Sequence, residues 1–322
     1  MDSAATPPSL PVSLFEARFA VDGAPRLPAF PGSAWRGVFG RALKRAVCVV
    51  RHTECDACLL FRSCVYPYLF ETPPPPDAAK MRRYSSVPHP YALRVEPGRP
   101  DGAYRLGVTL LGRAERHLAY VVHALAEAGK AGLGRDRQGF DLVEVLQAAV
   151  SDPTCWQRIY VPGMPLQAQP AAVPNPGPCP GVVVVNLLSP LRLRRHEHLV
   201  TPATFGFGDL FGHLLRRISL LSYFHTETPL EVDFAGLTRA AAEVPIGTPR
   251  LRWYDWTRYS SRQDTTMDMG GLIGSFEVSG ANLAPFWPYL WLGQYTQVGK
   301  GTTMGLGRYE LLSGTAEEET SE

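Results

Sequence analysis

A glycine-rich stretch near the C-terminus, QVGKGTTMGLGRYEL, places four glycines, a lysine and an arginine within ten residues. Glycine lets a backbone approach a ligand closely, and successive free N–H groups form an anion-binding concavity, so this stretch predicts phosphate binding. It is not a Walker loop, because Gly301 follows Lys300 where Ser or Thr is required, and the glycine spacing misses the dinucleotide fingerprint. A plain connection before a last strand would have the same composition, and that alternative stays open.

Positive charge is concentrated in three segments, although the formal net charge of the chain is only +2. SAWRGVFGRALKRAV predicts a helix with an apolar stripe and an opposite face free of acids. RLRWYDWTRYS alternates basic and aromatic residues as a strand would, which suits phosphate contact and base stacking, and LRLRRHEH adds three arginines. An ordinary solvated helix face, and aromatics that cover a neighbouring domain, are the alternatives. The predicted polynucleotide-binding positions are Arg41, Lys44, Arg45, Arg192, Arg194, Arg195, Arg250, Arg252, Arg258, Arg262, Gly299, Gly301, Thr302, Thr303, Gly305, Gly307 and Arg308.

Four of the six cysteines form the pattern C-x6-C-x2-C-x5-C, at Cys48, Cys55, Cys58 and Cys64. A cytoplasmic chain keeps its thiols reduced, so disulfides are not expected. The central C-x2-C with two flanking cysteines suits a tetrahedral thiolate site, most simply structural Zn²⁺, with an iron–sulfur cluster as the second choice. The outer spacings are not standard, and Cys48 lies on the apolar edge of the helix, so simple packing stays an alternative.

Length and composition indicate a globular protein of about two domains, with 322 residues of which 45% are hydrophobic. No apolar run has the length of a membrane span, and the N-terminal residues lack the basic start and apolar core of a signal peptide. We therefore expect a cytoplasmic location and no membrane partner.

The order of predicted elements is the same on both sides of a proline-rich segment. Each side is predicted as β-α-β-β-α-β, so the fold class is α+β with two tandem ferredoxin-like domains. The predicted boundaries are an N-terminal domain at 1–165 with a Cys-rich insertion at 48–84, a Pro-rich linker at 166–181, a C-terminal domain at 182–312 with its glycine-rich loop at 299–307, and an acidic tail at 313–322.

The glycine-rich loop resembles the C-terminal loop of the RAMP superfamily, in particular the CRISPR repeat-processing endoribonucleases. WYDWTRYSSRQDTTMDMGGLIG resembles the block that these enzymes carry upstream of the loop, and PGSAWRGVFGRAL resembles their first helix. The resemblance implies two ferredoxin-like domains that bind CRISPR repeat RNA and cut precursor CRISPR RNA without a catalytic cofactor. It also implies attack by a ribose 2′-hydroxyl, a 2′,3′-cyclic phosphate and 5′-hydroxyl as products, and a protein that can stay bound to its product.

The resemblance also suggests catalytic residues. Lys300, in the loop, would stabilise charge on the phosphate. His52 is the imidazole that follows the first helix and is the candidate for acid–base work, while Arg36 on the helix is a further candidate for charge stabilisation.

Two other functions stay open at this stage. One is a non-catalytic RNA-binding RAMP subunit of a CRISPR effector complex, for which other effector subunits would be partners. The other is a zinc-stabilised nucleic-acid adaptor outside CRISPR.

Overall fold

The computed structural model describes residues 7–314 except 29, 82, 97–102, 135 and 261–264, and it describes the backbone alone at 257–260 and 265–268. The chain divides into two compact units. The N-terminal unit comprises Leu10–Val173 with Leu220–Pro229, and the C-terminal unit comprises the other residues. Each unit is an α+β fold around an antiparallel sheet.

In the described residues of the N-terminal unit, the main strands and helices are β1 (Val12–Ala20), α1 (Gly32–Val47), β2 (Tyr91–Val95), β3 (Ala103–Leu111), α2 (Leu118–Ala131), β4 (Asp141–Ala149) and β5 (Asp152–Tyr160). The sheet order is β2-β3-β1-β4-β5, and every neighbouring pair is antiparallel. Without β5 this is the order of a ferredoxin-like βαββαβ fold.

Aromatic packing holds α1 against this sheet. Trp35, which starts the apolar stripe of α1, is fully buried, and its ring stacks on Tyr104 with centroids 5.5 Å apart. Phe140 meets both rings edge-on, at 5.4 Å from Trp35 and 5.5 Å from Tyr104. Such pairs add roughly 0.5–1.5 kcal/mol each beyond the area they bury, so this cluster fixes the position of the helix.

The C-terminal unit repeats the arrangement. Its elements are β6 (Val182–Leu191), β7 (Arg194–Arg195), β8 (His198–Leu199), α3 (Phe207–His225), α4 (Phe234–Ala242), β9 (Arg250–Ser260), β10 (Thr265–Ser279), α5 (Gly280–Leu283), α6 (Trp287–Thr296) and β11 (Tyr309–Ser313). The main sheet has the order β11-β6-β10-β9, again antiparallel throughout. The predicted fold of two tandem ferredoxin-like domains is confirmed.

Some elements lie outside the repeated pattern that the sequence predicted. Strand β5, the β7–β8 hairpin and helix α4 are additions to the ferredoxin-like order. The division between the units falls inside α3, whose residues from Leu220 onward belong to the N-terminal unit.

The proline-rich segment is hydrogen-bonded along part of its length. Gln147 and Gln169 exchange two bonds of 2.8 Å between the Gln147 side-chain amide and the Gln169 backbone. Val12 and Ala172 exchange two backbone bonds of 2.8 and 3.1 Å. The start of the segment therefore runs along the sheet of the N-terminal unit. Among the described residues, no helix combines the length and the apolar character needed to cross a membrane.

Candidate functional site

The glycine-rich loop connects α6 to β11 in the C-terminal unit. Gly299, Gly301, Gly305 and Gly307 all have positive φ, between 71° and 88°. Their positions are crowded as well: a Cβ at Gly299 would lie 2.6 Å from the Arg192 carbonyl oxygen, and one at Gly307 would overlap the carbonyl of Val298. The glycines are therefore required by backbone conformation and close packing, whatever the loop binds.

Most N–H groups of this loop already donate hydrogen bonds within the protein, four of them to carbonyls of the loop itself. Seven of them donate to carbonyl groups or to the Ser189 hydroxyl, at 2.8–3.2 Å; they belong to Val298, Lys300, Met304, Gly305, Leu306, Gly307 and Arg308. The expectation of a concavity lined by successive free N–H groups is wrong for these seven positions. The loop is a hydrogen-bonded scaffold, and anion binding depends mainly on its side chains.

Lys300 is the exposed cation of this scaffold. Its backbone N–H donates to the Arg192 carbonyl at 3.0 Å, while its side chain faces solvent. Thr302 and Thr303, in contrast, are only 5% and 7% exposed. Arg308 is half-buried. Because hydrogen bonds hold the backbone at Lys300, the side chain extends from a fixed position. Its ammonium group can therefore contact an anion with little rearrangement of the loop.

The arginines after β6 lie in, or two residues before, the β7–β8 hairpin. Arg192 donates from Nη1 to the Gly270 carbonyl at 2.9 Å, which ties it to β10. In the β7–β8 hairpin, Arg194 pairs with Glu197 at 3.3 Å and Arg195 with the buried Asp209 at 3.5 Å. Both side chains stay partly exposed, so they can contact a polyanion, but each would have to share its charge with an acid.

Arg217 on α3 is a loop-positioning residue that the sequence analysis missed. Its Nε donates to the carbonyl of Thr296, the last residue of α6, at 2.9 Å. Nη2 is shielded from solvent, and no acceptor for it lies among the residues that the structure describes. Burial lowers the pKa of Arg217 to about 10, so the guanidinium is still charged at neutral pH. A cation at the C-terminus of α6 also complements the helix dipole where the loop begins.

Strand β9 carries exposed arginines at the edge of the C-terminal sheet. Arg250 and Arg252 are exposed, and Trp256 is half-buried. Trp253 is also half-buried, and its Nε1 donates to the exposed Asp255 at 2.7 Å. Two predicted positions lie outside the described residues, the side chain of Arg258 and the whole of Arg262.

The basic face of α1, in the N-terminal unit, is only partly open to solvent. The Arg36 guanidinium lies over the Phe70 ring, 5.4 Å from its centroid, and Lys44 Nζ lies 5.5 Å from the centroid of Tyr66. Between them, a Cβ at Gly40 would be 2.7 Å from the Phe70 ring. The two rings are stacked on each other at 5.4 Å. The rings of Tyr66 and Phe70 thus cover Arg36, Gly40 and Lys44, which lie on the helix face predicted to contact a polyanion.

The other arginines of this helix stay available. Arg41 and Arg45 are exposed, and so are Arg51 and His52 in the turn after the helix. These side chains are the part of the predicted N-terminal basic surface that solvent, and therefore a polyanion, can reach.

Histidines outside this turn include two with structural roles. His225 is 2% exposed; its Nε2 lies 2.8 Å from the Pro88 carbonyl, and its Nδ1 lies 3.3 Å from the Tyr68 hydroxyl. Because a carbonyl only accepts, the neutral ring carries its proton on Nε2 and accepts from Tyr68 at Nδ1. His213 uses both nitrogens too, with the Asp209 carbonyl and the Arg194 N–H. Neither ring is free for proton transfer.

A cluster around Tyr68 escaped the sequence analysis because its members come from three distant segments. The ring of His117 meets that of Tyr68 edge-on at 5.1 Å. Burial raises the pKa of Tyr68 to about 12, against the opposing effect of the Arg113 charge. Burial, and then the charge of Arg116, lower the pKa of His117. A neutral imidazole therefore lies beside a protonated phenol, and the only local sequence signal is the run RAERH.

All four clustered cysteines line one pocket in the N-terminal unit. Each is a half-buried free thiol. Burial raises the pKa of Cys55, against the opposing effect of Lys44, which lines the same pocket. Within the described part of the chain, no group of three or more His, Cys, Asp or Glu side chains has the arrangement of a formed metal site.

The similarity of the chain to known proteins agrees with this architecture. Residues 10–172, just over half of the chain, match the family model AF_1859_N, an N-terminal domain, and residues 185–309 match the model of the CRISPR-associated endoribonuclease Cas6. An uncharacterized protein of Archaeoglobus fulgidus is 28% identical over 127 residues, which are 38% of this chain and 42% of that protein. The chain thus matches less than half the length of this relative.

Solved structures share the fold. A product complex of a Thermus thermophilus Cas6 (TTHB231) has a TM-score of 0.58 and 17% identity, covering 94% of this chain and 99% of that one. A partial Cas6-RT-Cas1–Cas2 complex has a TM-score of 0.54 and 14% identity, covering 96% of this chain and 47% of that one.

The solved structures show the class of fold, two tandem ferredoxin-like domains. Within that fold, residues 185–309 belong to the Cas6 family of CRISPR-associated endoribonucleases. The predicted relation to the CRISPR repeat-processing members of the RAMP superfamily is confirmed at the level of this domain family.

Proposed function

We propose that this protein binds CRISPR repeat RNA and cuts precursor CRISPR RNA into guide RNAs without a catalytic metal ion. The observation that carries the proposal is Lys300: an exposed ammonium group on a loop whose backbone is held by seven hydrogen bonds. A fixed cation suits the stabilisation of a phosphorane, whose negative charge exceeds that of the ground-state phosphate.

The proposed reaction is an internal transesterification. The 2′-oxygen loses its proton to a base and bonds to the adjacent phosphorus, and the bond from phosphorus to the 5′-oxygen breaks. The leaving oxygen takes up a proton, which yields a 2′,3′-cyclic phosphate and a 5′-hydroxyl. His52 is the proposed proton acceptor, since it is exposed in the turn after α1. Arg36 is a further candidate for charge stabilisation, although Phe70 already holds its guanidinium.

RNA binding would rest on the exposed cations of both units. Among the side chains that the structure describes, the exposed members of the predicted set outside the loop and the β7–β8 hairpin are Arg41 and Arg45 on α1 and Arg250 and Arg252 on β9. The protein would hold the repeat through these phosphate contacts and could stay bound to its product. The likeness to a Cas6-RT-Cas1–Cas2 assembly supports other CRISPR proteins as further partners.

Cleavage of repeat RNA in a chelator tests the proposal. End-labelled RNA carrying the repeat of the CRISPR array from the same genome is incubated with the full-length protein in EDTA, and the products are examined for a cyclic phosphate. We expect one cut, and we expect a 2′-deoxy nucleotide 5′ of the cut to abolish cleavage while binding is kept. Cutting of the deoxy substrate would refute the mechanism, and binding without any cutting would support a non-catalytic RNA-binding subunit instead.

Variants test the residue roles. Lys300→Ala should lower the cleavage rate by about 10²–10³. His52→Ala should lower it by about 10²–10⁴ if His52 is the base. Lys130→Ala is the matched control, because Lys130 is exposed on α2 and pairs with Glu127 at 2.9 Å. Equal rates for Lys300→Ala and Lys130→Ala would remove Lys300 from the reaction.

A further inference from the structure

We propose that Cys48, Cys55, Cys58 and Cys64 bind a structural Zn²⁺ that fastens the segment after α1 to the end of this helix. The four thiols are spread over 17 residues, yet all of them line the same pocket. Convergence of four separate thiols on one pocket is what a tetrahedral zinc site requires, and packing alone does not require it.

Local backbone structure brings the thiols together. The Cys48 N–H continues α1 by donating to the Lys44 carbonyl at 2.9 Å. A short 3₁₀ turn spans Cys55–Ala57 and closes with a 3.2 Å bond from the Cys58 N–H to the Cys55 carbonyl. The Cys64 N–H donates to the Leu60 carbonyl at 2.9 Å, which turns the chain back once more. The first ligand thus belongs to the helix end and the other three to consecutive turns.

Closure of the site on the metal needs movements of the cysteine side chains. The described residues contain no three ligands already at metal-site separation, so the thiols must rotate inward when Zn²⁺ binds. Cys48 would exchange its 3.4 Å contact with the Val50 carbonyl for a bond to the metal. Half-burial of all four cysteines leaves them accessible to an incoming ion, whereas a purely structural thiol would be expected deep in the core.

Lys44 has a defined part in this site. Four thiolates around Zn²⁺ leave a net negative charge, and Lys44 is the cation on the pocket wall, with its ammonium over the Tyr66 ring. We therefore assign Lys44 to the zinc site, where it offsets the thiolate charge, in place of the RNA contact that the sequence predicted. This inference stands whether or not the chain cleaves RNA.

The metal content of the purified full-length protein tests the proposal. We expect about one zinc per chain by elemental analysis, and a large loss in Cys58→Ser. Cys155→Ser and Cys179→Ser are the matched controls, since these two cysteines lie outside the pocket, and they should retain the metal. Unchanged zinc in Cys58→Ser, stoichiometric iron, or wild-type protein without metal would overturn the zinc site.

A cobalt titration covers the case in which a cysteine variant does not fold. Wild-type protein stripped by a chelator should develop thiolate-to-cobalt charge-transfer absorption that saturates at about one Co²⁺ per chain and is bleached by Zn²⁺. Absence of these bands would overturn the site. Lys44→Met should weaken cobalt affinity by up to about fivefold relative to Lys130→Met, the expected range for one partly solvated charge pair. Equal affinities would overturn the role of Lys44.

Discussion

Gly307→Ala tests whether the glycine-rich loop is a hydrogen-bonded scaffold. Gly307 has φ +71°, and an added Cβ would overlap the Val298 carbonyl. Two bonds of 3.0 Å depend on this geometry, from the Val298 N–H to the Gly307 carbonyl and from the Gly307 N–H to the Pro190 carbonyl. Relief of the overlap by a backbone shift would therefore break at least one of them.

The magnitude follows from these two effects. A non-glycine residue in the left-handed region costs roughly 1–2 kcal/mol. Loss of one or both bonds adds about 0.5–1.5 kcal/mol each. We expect Gly307→Ala to lower the free energy of unfolding by about 2–5 kcal/mol, which is a large part of the stability of a domain.

Gly177→Ala is the matched control in the same unit. Gly177 also has a positive φ, +60°, but an added Cβ would have nothing within 4 Å, so only the conformational cost of about 1–2 kcal/mol applies. Urea denaturation followed by tryptophan fluorescence measures both variants. The scaffold interpretation fails if Gly307→Ala is no more destabilising than Gly177→Ala.

Three further predictions concern buried groups. Arg217→Met should lower the free energy of unfolding by about 1–3 kcal/mol, because the buried carbonyl of Thr296 at the end of α6 loses its donor. Arg216 is the exposed neighbour, and Arg216→Met should change the free energy of unfolding by less than about 0.5 kcal/mol. Equal effects of the two substitutions would show that the bond from Arg217 to Thr296 does not stabilise the fold. In the same urea assay, Gly40→Ala should destabilise the protein, because an added Cβ would overlap the Phe70 ring. Gly37→Ala should stabilise it, because an added Cβ there has only ordinary contacts and alanine favours a helix. A change of stability in the same direction for both variants would contradict the packing of Phe70 on Gly40. His117 should titrate by NMR below the usual pKa of about 6.5. Because its neutral form is favoured in the folded state, its contribution to stability should be lost as the pH falls below about 6.5, and a higher midpoint would refute the burial argument.

The repeated ferredoxin-like order was predictable from the sequence, because it depends on local periodicity. The stripe of α1 through Trp35 and Phe39 repeats at helical spacing, and both residues are buried. The β7–β8 hairpin was also predictable, since charged residues interrupt an apolar run. Strand β5 was not, because most of its residues are exposed and its pattern carries little hydrophobic signal.

The hydrogen bonds and ring contacts of the candidate site could not be predicted, because they join residues that are distant in the sequence. The glycines of the loop are visible in the sequence, but three of the seven acceptors of its N–H groups, the carbonyls of Pro190 and Arg192 and the hydroxyl of Ser189, lie more than 100 positions earlier, in β6 and the residue after it. The bond between Tyr68 and His225 joins residues 157 positions apart. The charges of α1 were likewise visible, whereas the rings that cover Arg36 and Lys44 were not.

The contacts of Arg36 with Phe70 and of Lys44 with Tyr66 affect how the proposed RNA affinity of α1 would depend on salt concentration. Each phosphate neutralised on single-stranded RNA contributes about 0.7 to the slope of log affinity against log salt. Four free cations on the helix would contribute about 2.8 by this rule, but two of them already face resident rings. Only Arg41 and Arg45 would then neutralise RNA phosphates and displace the counterions condensed on them, which would contribute about 1.4 to the slope. In the proposed RNA complex, Tyr66 and Phe70 would thus make the affinity contributed by this helix less dependent on ionic strength than its number of charges suggests.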